Sequence, residues 1–280
     1  MSVRILKRSG ISVGKLSKAA GVSRDAFYKR QRRRRKAHVE DGVILKLVRH
    51  IRQDEPRIGT RKLQDRLRKQ GHKVGRDQLF LLLGKHQMLV PPKRSPVKTT
   101  YSRHSYAIAP NRVKELLVTT PNQVLVSDIT YLFIKRQKPA YLFLVSDLFS
   151  RKILGYHASR DMSHYSALLA LNRAVEQIGN PAGTVHHSDR GSQYCCHEYL
   201  KELGRHRMIP SMTDANHCYQ NAVAERINGI LKIDLAMDQL FESFEHMKQE
   251  LKKAINTYNQ KRTHWSLGLK TPDDVYRQAA

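Results

Sequence analysis

The sequence is poor in cysteine, poor in acid relative to base, and has no long apolar run. Its three cysteines, Cys195, Cys196 and Cys218, form neither a CxxC pair nor the framework of a disulfide-stapled secreted domain. A chain kept reduced in the cytoplasm, associated with the nucleoid, is the expectation. No stretch of about 18 apolar residues occurs, which excludes a membrane-spanning helix. The opening MSVRILKRSGISVGKL lacks the apolar core of a signal peptide. Residues 1–118 contain no cysteine, so a zinc-binding His/Cys module is not expected there.

The shortage of acid is the most informative of these. Lys and Arg number 51 against 24 Asp and Glu, a formal charge of +27. Such a surplus repels itself and calls for a polyanion, with nucleic acid the first candidate and an anionic membrane surface the second. The charge is also uneven. Residues 1–118 hold 31 basic and 8 acidic residues, whereas residues 119–280 hold 20 and 16. Binding in front and chemistry behind is the natural division, and 280 residues suit about two domains.

The front reads as helical. Residues 11–36 suggest a helix-turn-helix: VGKLSKAA, then Gly21 as a stop and Ser23 as an N-cap for RDAFYKRQRRRRK. Arg24, Lys29, Arg30, Arg32, Arg33, Arg34 and Arg35 are candidate DNA contacts, better suited to phosphates than to bases. Three more helices are expected in VILKLVRHIRQ, RKLQDRLRKQ and RDQLFLLLGKHQ, separated by Pro56, Gly59, Gly71 and Gly75. Arg61, Lys62 and Arg76 join the DNA-binding candidates. The expected domains are a helix-turn-helix at 1–40, a helical DNA-binding domain at 41–90, a basic linker at 91–118, a catalytic core at 119–235, and a C-terminal helix and tail at 236–280 packing on the core.

After residue 118 the texture changes. QVLVSDITYLFI, AYLFLVSDLF and KILGYHAS are rich in branched and aromatic residues and read as strands. SHYSALLALNRAVEQIG is a helix capped by Ser163, TVHHSD a strand, CHEYLKELGRH a helix, MIPSMT a strand, NAVAERINGILKIDL a helix, and EHMKQELKKAINTYNQ a last long helix. Three strands followed by alternating helices and strands give an α/β fold, a mixed sheet flanked by helices in the ribonuclease-H-like order.

Within this half, some acids stand in apolar company, where a carboxylate is costly unless paired or bound to metal. Asp128 interrupts VLVSDITYLFI, Asp147 interrupts LFLVSDLF, Asp189 closes TVHHSD, and Glu225 lies in NAVAERINGILK. Three carboxylates converging from different elements can hold hard divalent ions for phosphodiester chemistry. Asp147 is a candidate fourth acid. Of His186 and His187, at most one can face such a site, because adjacent strand residues point to opposite faces. Trp265 reads as a core or docking residue.

These segments resemble a known family. Asp128 in PNQVLVSDITY, Asp189 in HHSDRGSQY and Glu225 in NAVAERINGILK, with 35 residues between the last two, are similar to the D,D(35)E core of bacterial insertion-sequence transposases, the group related to retroviral integrase. The tail YNQKRTHWSLGLKTPDDVY and the stretches PRIGTRKL and GRDQLF are similar to the same group, so the likeness spans nearly the whole chain. The family often has Trp where Leu125 stands, an acid at Gln220 and Glu at Asp234.

The resemblance implies a DNA transposase that binds the ends of its element. It implies two Mg²⁺ or Mn²⁺ ions held by Asp128, Asp189 and Glu225, 3′-end cleavage and strand transfer. It marks Lys232 as a DNA contact, and Asn221, on the same helix face as Glu225, joins it. It implies as partners the terminal inverted repeats, target DNA, further copies of the chain assembled on DNA, and an upstream reading frame as a separate protein or a fusion. The rival readings are a non-catalytic DNA-binding regulator, which the intact acids oppose, and a plain metal-dependent nuclease, which the large basic front opposes.

Overall fold

A computed structural model of the chain describes residues 12–19, 21–91, 106–214 and 218–279. The chain divides into two compact units, Met1–Ile51 with Gly59–Leu89, and Arg52–Ile58 with Val90–Ala280.

The first unit is helical. Helix α1 (Val13–Ala19) ends before Gly21, which has φ +65°. The Ser23 hydroxyl then accepts from the Ala26 N–H at 3.0 Å, as an N-cap does. Helix α2 runs Arg24–Asp54 without a break. The sequence reading had two helices here. Gly42 lies within the continuous helix, and one glycine costs a helix only about 1 kcal/mol. Ile44, Leu45 and Val48 of α2 are buried, as are Leu63 and Leu67 of α3 (Thr60–Lys69) and Leu79, Leu82 and Leu83 of α4 (Arg76–Lys85). Gly59 and Gly75 are the N-caps of α3 and α4.

The second unit is a mixed sheet between helices. Strands β1 (Val124–Ile134), β2 (Ala140–Asp147) and β3 (Ile153–Ser159) form an antiparallel meander. β4 (Val185–Ser188) and β5 (Ile209–Met212) continue in parallel from β1, giving the order β3-β2-β1-β4-β5. Helix α5 (His164–Ile178) is capped by Ser163, as expected. It packs closely on β3 at Gly155, where a Cβ would come within 2.1 Å of the Ala170 carbonyl oxygen. The helix expected at CHEYLKELGRH is α7 (His197–Arg205), with Cys196 extended as its N-cap after the short helix α6 (Ser192–Cys195).

Helix α8 (Ala222–Gly229) leads directly into a π-helical turn at Ile230–Asp234. A short strand β6 (Leu240–Phe241) pairs with the far end of β1 and precedes α9 (Phe244–Gln260). The tail ends in α10 (Pro272–Ala279), opened by a reciprocal cap in which Thr271 and Asp274 each accept the other's N–H. Side-chain alternation along β1 separates two cores. Leu132 and Ile134 pack with Ile227, Leu231 and Met247, while Leu125 packs with Phe143, Ala170 and Tyr199.

Candidate metal centre and catalytic site

The register of β1 and β4 builds the site. Val124, Val126 and Asp128 share one face of β1, and the two valines are buried there with Val185 of β4 and Ala224 of α8. Parallel pairing sets Val124 against Val185 and Val126 against His187. The same offset carried forward brings Asp128 level with Asp189, immediately past the end of β4 and on the same face. Neighbouring strands lie about 4.8 Å apart. Glu225 stands in the first turn of α8, next to the Ala224 that packs against this face. Asp128 and Asp189 are half-buried and Glu225 is exposed.

The three acids feel one another. Burial first, then the charge of Asp189 and to a lesser degree that of Glu225, push the Asp128 carboxyl up to about 7. Glu225 is also raised, by burial and then by Asp189. Asn228, one turn beyond Glu225, donates its amide to Asp128 Oδ2 at 2.7 Å and partly offsets the shift. The Asp189 carboxylate accepts the Gly191 N–H at 3.0 Å. Lys232 is half-buried; burial lowers its pKa, while the charges of Asp128 and Asp238 raise it, so its ammonium lies within reach of the acids' field.

Among the described residues no three His, Cys, Asp or Glu side chains are spaced to hold a metal ion. The acids are gathered at electrostatic range and not drawn into a closed cage. The donor set still suits a hard divalent cation. It offers carboxylate oxygens alone, in mutual repulsion that a cation would relieve.

Asp147 belongs to the other face. It pairs with Leu125 across β1 and β2, is fully buried, and accepts from the Asn122 N–H, the Ser150 N–H and the Ser150 hydroxyl at 2.6–2.8 Å. It closes a turn and is not a fourth acid of the cluster. The histidines divide as alternation requires. His187 is on the Asp128 face and bonds Ser211, while His186 is on the opposite face between Ser127 and Tyr199. Burial lowers both, His186 to about 3, so both are neutral.

Asn221 needs correction as a DNA contact. It is 2% exposed and spends its amide on the Ser127 carbonyl at 2.9 Å, bracing β1 from within. Trp265 is 58% exposed in a single 3₁₀ turn and is no core residue. Asn228 was missed in the sequence, although its i, i+3 spacing from Glu225 marks it as sharing that helix face.

The basic candidates lie in the helical unit. Arg24, Lys29, Arg30, Arg32 and Arg33 are exposed on the first turns of α2, Lys29 pairing with Asp25 at 2.8 Å. Successive helix positions turn about 100°, so these cations surround the helix and do not form one reading face. The side chains of Arg34 and Arg35 lie outside the described residues. Arg61 and Arg76 are exposed, Arg76 paired with Asp77 at 2.8 Å, and Lys62 is half-buried. No helix among the described residues is long and apolar enough to cross a membrane.

Comparison with known proteins agrees with this geometry. Two family models, both described as integrase core domains, match residues 118–218 and 206–272. The insertion element IS600 31 kDa protein of Shigella sonnei is 34% identical over 257 residues, covering 90% of this chain and 94% of its own. Transposase InsF for insertion sequence IS3A of Escherichia coli (strain K12) is 31% identical over 234 residues, 82% of this chain and 79% of its own. Among solved structures, the simian T-cell lymphotropic virus intasome in complex with PP2A regulatory subunit B56 gamma aligns with a TM-score of 0.50 at 18% identity, over 78% of this chain and 70% of that one. That likeness bears on the fold alone and agrees with the ribonuclease-H-like sheet. The chain therefore belongs to the insertion-sequence transposases of the IS3 type, built on an integrase core domain.

Proposed function

We propose that the chain binds the ends of its insertion sequence and performs 3′-end cleavage and strand transfer at Asp128, Asp189 and Glu225. The observation that carries this reading is the meeting of these acids where β1, β4 and α8 come together, with Asp128 raised to about 7 by burial and its acidic neighbours. Two Mg²⁺ or Mn²⁺ ions held there would activate the attacking water or 3′-hydroxyl and stabilise the departing oxygen.

The side chains divide the work. Asp128, on β1, and Asp189, just past the end of β4, are the shared ligands, and exposed Glu225 completes the set. Asn228 fixes the rotation of the Asp128 carboxylate, as outer partners of metal ligands do. Lys232 adds positive charge beside the acids, where a scissile phosphate would sit. The helical unit supplies the phosphate contacts through Arg24, Lys29, Arg30, Arg32 to Arg35, Arg61, Lys62 and Arg76. Two element ends must be joined, so several copies assemble on DNA, their charge of +27 opposing assembly until phosphates neutralise it.

The test is cleavage and joining of DNA carrying the element's two ends, with Mg²⁺ or Mn²⁺. Asp128→Asn, Asp189→Asn and Glu225→Gln should each abolish both steps and spare DNA binding. Near-normal strand transfer by any one of them would overturn the assignment. Cutting without joining by the wild type would favour the plain nuclease.

A further inference from the structure

We propose that Arg57 and Arg262 are positioning residues that clamp the π-helical turn 230–234 from two sides and so hold Lys232 beside the acids; this rests on the catalytic reading of that site. π-helical segments within α-helices are energetically poor and concentrate at functional sites. This one directly follows the helix that carries Glu225 and Asn228, and it carries Lys232.

Its outer contacts come from parts of the chain remote in sequence. The Arg57 N–H donates to the Asp234 carbonyl at 3.2 Å, and its guanidinium donates to the Ile233 carbonyl at 3.2 Å and to both oxygens of Asp238 at 2.8–2.9 Å. Asp238 in turn donates its own N–H to the Lys232 carbonyl at 3.1 Å. One short path therefore runs from the Arg57 guanidinium to the backbone of Lys232. From the other side the Arg262 guanidinium, 3% exposed and lying against His264, donates to the Asp234 carboxylate. Arg262 leaves α9 at the start of the tail. Arg57 belongs to the Arg52–Ile58 segment, which lies in sequence between helices of the first unit yet is part of the second. A third tie, Lys261 to Asp54 at 2.6 Å, fastens the same segment to the end of α9.

Guanidinium groups suit this task because their fixed fork engages carbonyls and carboxylates together. Without them the π turn is free to relax to ordinary helix. That would rotate Lys232 relative to Glu225, while the sheet that carries Asp128 and Asp189 stays in place.

The experiment uses the full chain and two readouts. Hydrogen exchange of the peptide spanning 226–238 is measured in wild type, Arg57→Ala, Asp238→Ala and Arg262→Ala. Cleavage and strand transfer of DNA carrying the element's ends are measured in parallel, with kcat and KM separated. The expected result is at least tenfold faster exchange confined to the turn and a kcat lower by roughly tenfold or more, with KM and DNA affinity near wild type and, for Arg57→Ala and Asp238→Ala, Tm near wild type as well. Arg57→Asp combined with Asp238→Arg remakes the ion pair but not the bond to the Ile233 carbonyl, and should restore both readouts in part. Unchanged exchange would overturn the clamp, as would a loosened turn with unchanged kcat, or a kcat loss that merely follows Tm. Should buried Arg262→Ala fail to fold, Arg57→Ala, at a half-buried position, and Asp238→Ala, at an exposed one, decide the matter. If the wild type neither cuts nor joins, the functional reading fails instead, and the exchange result still decides whether the arginines hold the turn.

Discussion

Val126-Ser127-Asp128 and Val145-Ser146-Asp147 are the same tripeptide on adjacent strands of one sheet, and the fold uses them in opposite ways. In the β1–β2 register Asp147 stands opposite Leu125, on the face covered by α5, whereas Asp128 stands opposite Leu144, on the face covered by α8. On its face Asp147 meets donors: two backbone N–H groups and a hydroxyl at 2.6–2.8 Å. On the other, Asp128 meets the Asn228 side-chain amide, one backbone hydrogen bond at Ile129 and two further acids. A carboxylate whose oxygens are satisfied fixes a turn. One left in the company of other carboxylates is poised to take a cation. The residue type and the three residues before it are identical, so the difference lies in register, which sends every other side chain to the opposite face.

The sharpest way to break this comparison is to neutralise each aspartate in turn. Asp128→Asn should lower strand transfer by about 1000-fold, the several kcal/mol expected from losing a ligand to catalytic metal. Asp147→Asn should leave the folded protein's turnover near wild type and lower stability by about 2 kcal/mol, the scale of a hydrogen-bonded charge. Rates normalised to folded protein, together with Tm, check both. Equal losses of turnover from the two variants would mean that the faces do not differ in function.

A smaller effect is expected one shell out. Asn228→Ala removes the only side-chain donor to Asp128 among the described residues and loosens the hold on its carboxylate. Metal affinity should fall by roughly 10–100-fold, as it does for outer partners of metal ligands. Calorimetric titration with Mn²⁺ measures it directly, and a saturating metal concentration should recover much of the activity. Ser150→Ala, its counterpart on the Asp147 face, should leave Mn²⁺ affinity unchanged.

The acids were legible in the sequence because each breaks an apolar pattern and because their motifs and spacing resemble a family. The strands were legible from branched and aromatic residues, and the Ser163 cap from its position before an apolar period. What was missed follows from features that local patterns do not carry. Asn228 has no signature except its spacing from Glu225, since its role depends on a strand about a hundred residues earlier. The continuity of α2 was hidden by Gly42 and the arginine run. Asn221 shares a helix face with Glu225 in a helical projection, but it precedes α8 in a 3₁₀ turn and points into the core. Helix α10 did leave a signal, because Thr271, Pro272 and Asp274 form an N-cap, an N1 proline and the reciprocal third position.

The smallest expected effect is on stability against pH, compared between the two Asp→Asn variants. Asp128 is raised from 3.8 to about 7 in the folded protein. A carboxyl that holds its proton more tightly when folded stabilises the fold at low pH. That contribution is lost as pH rises from about 4 to about 7, after which the metal-free protein carries the full repulsion among Asp128, Asp189 and Glu225. Asp128→Asn removes the repulsion while keeping an oxygen to accept from Asn228. At pH 8 without metal the variant should therefore melt a few degrees above wild type, since 1 kcal/mol is worth about 2–4 °C in a chain of this size class. Near pH 4 the two should melt together. Added Mg²⁺ should raise the wild type more than the variant, because only the wild type keeps all three ligands. Asp147 is raised too, by burial above all and against its three hydrogen bonds, so Asp147→Asn should melt below wild type throughout, from the turn contacts it loses, by a margin that narrows as pH rises. Scanning calorimetry across this pH range, with and without Mg²⁺, gives all three curves. An Asp128→Asn protein that melts below wild type at pH 8 in chelator would mean that Asp128, like Asp147, serves the fold, and the contrast between the two faces would fall.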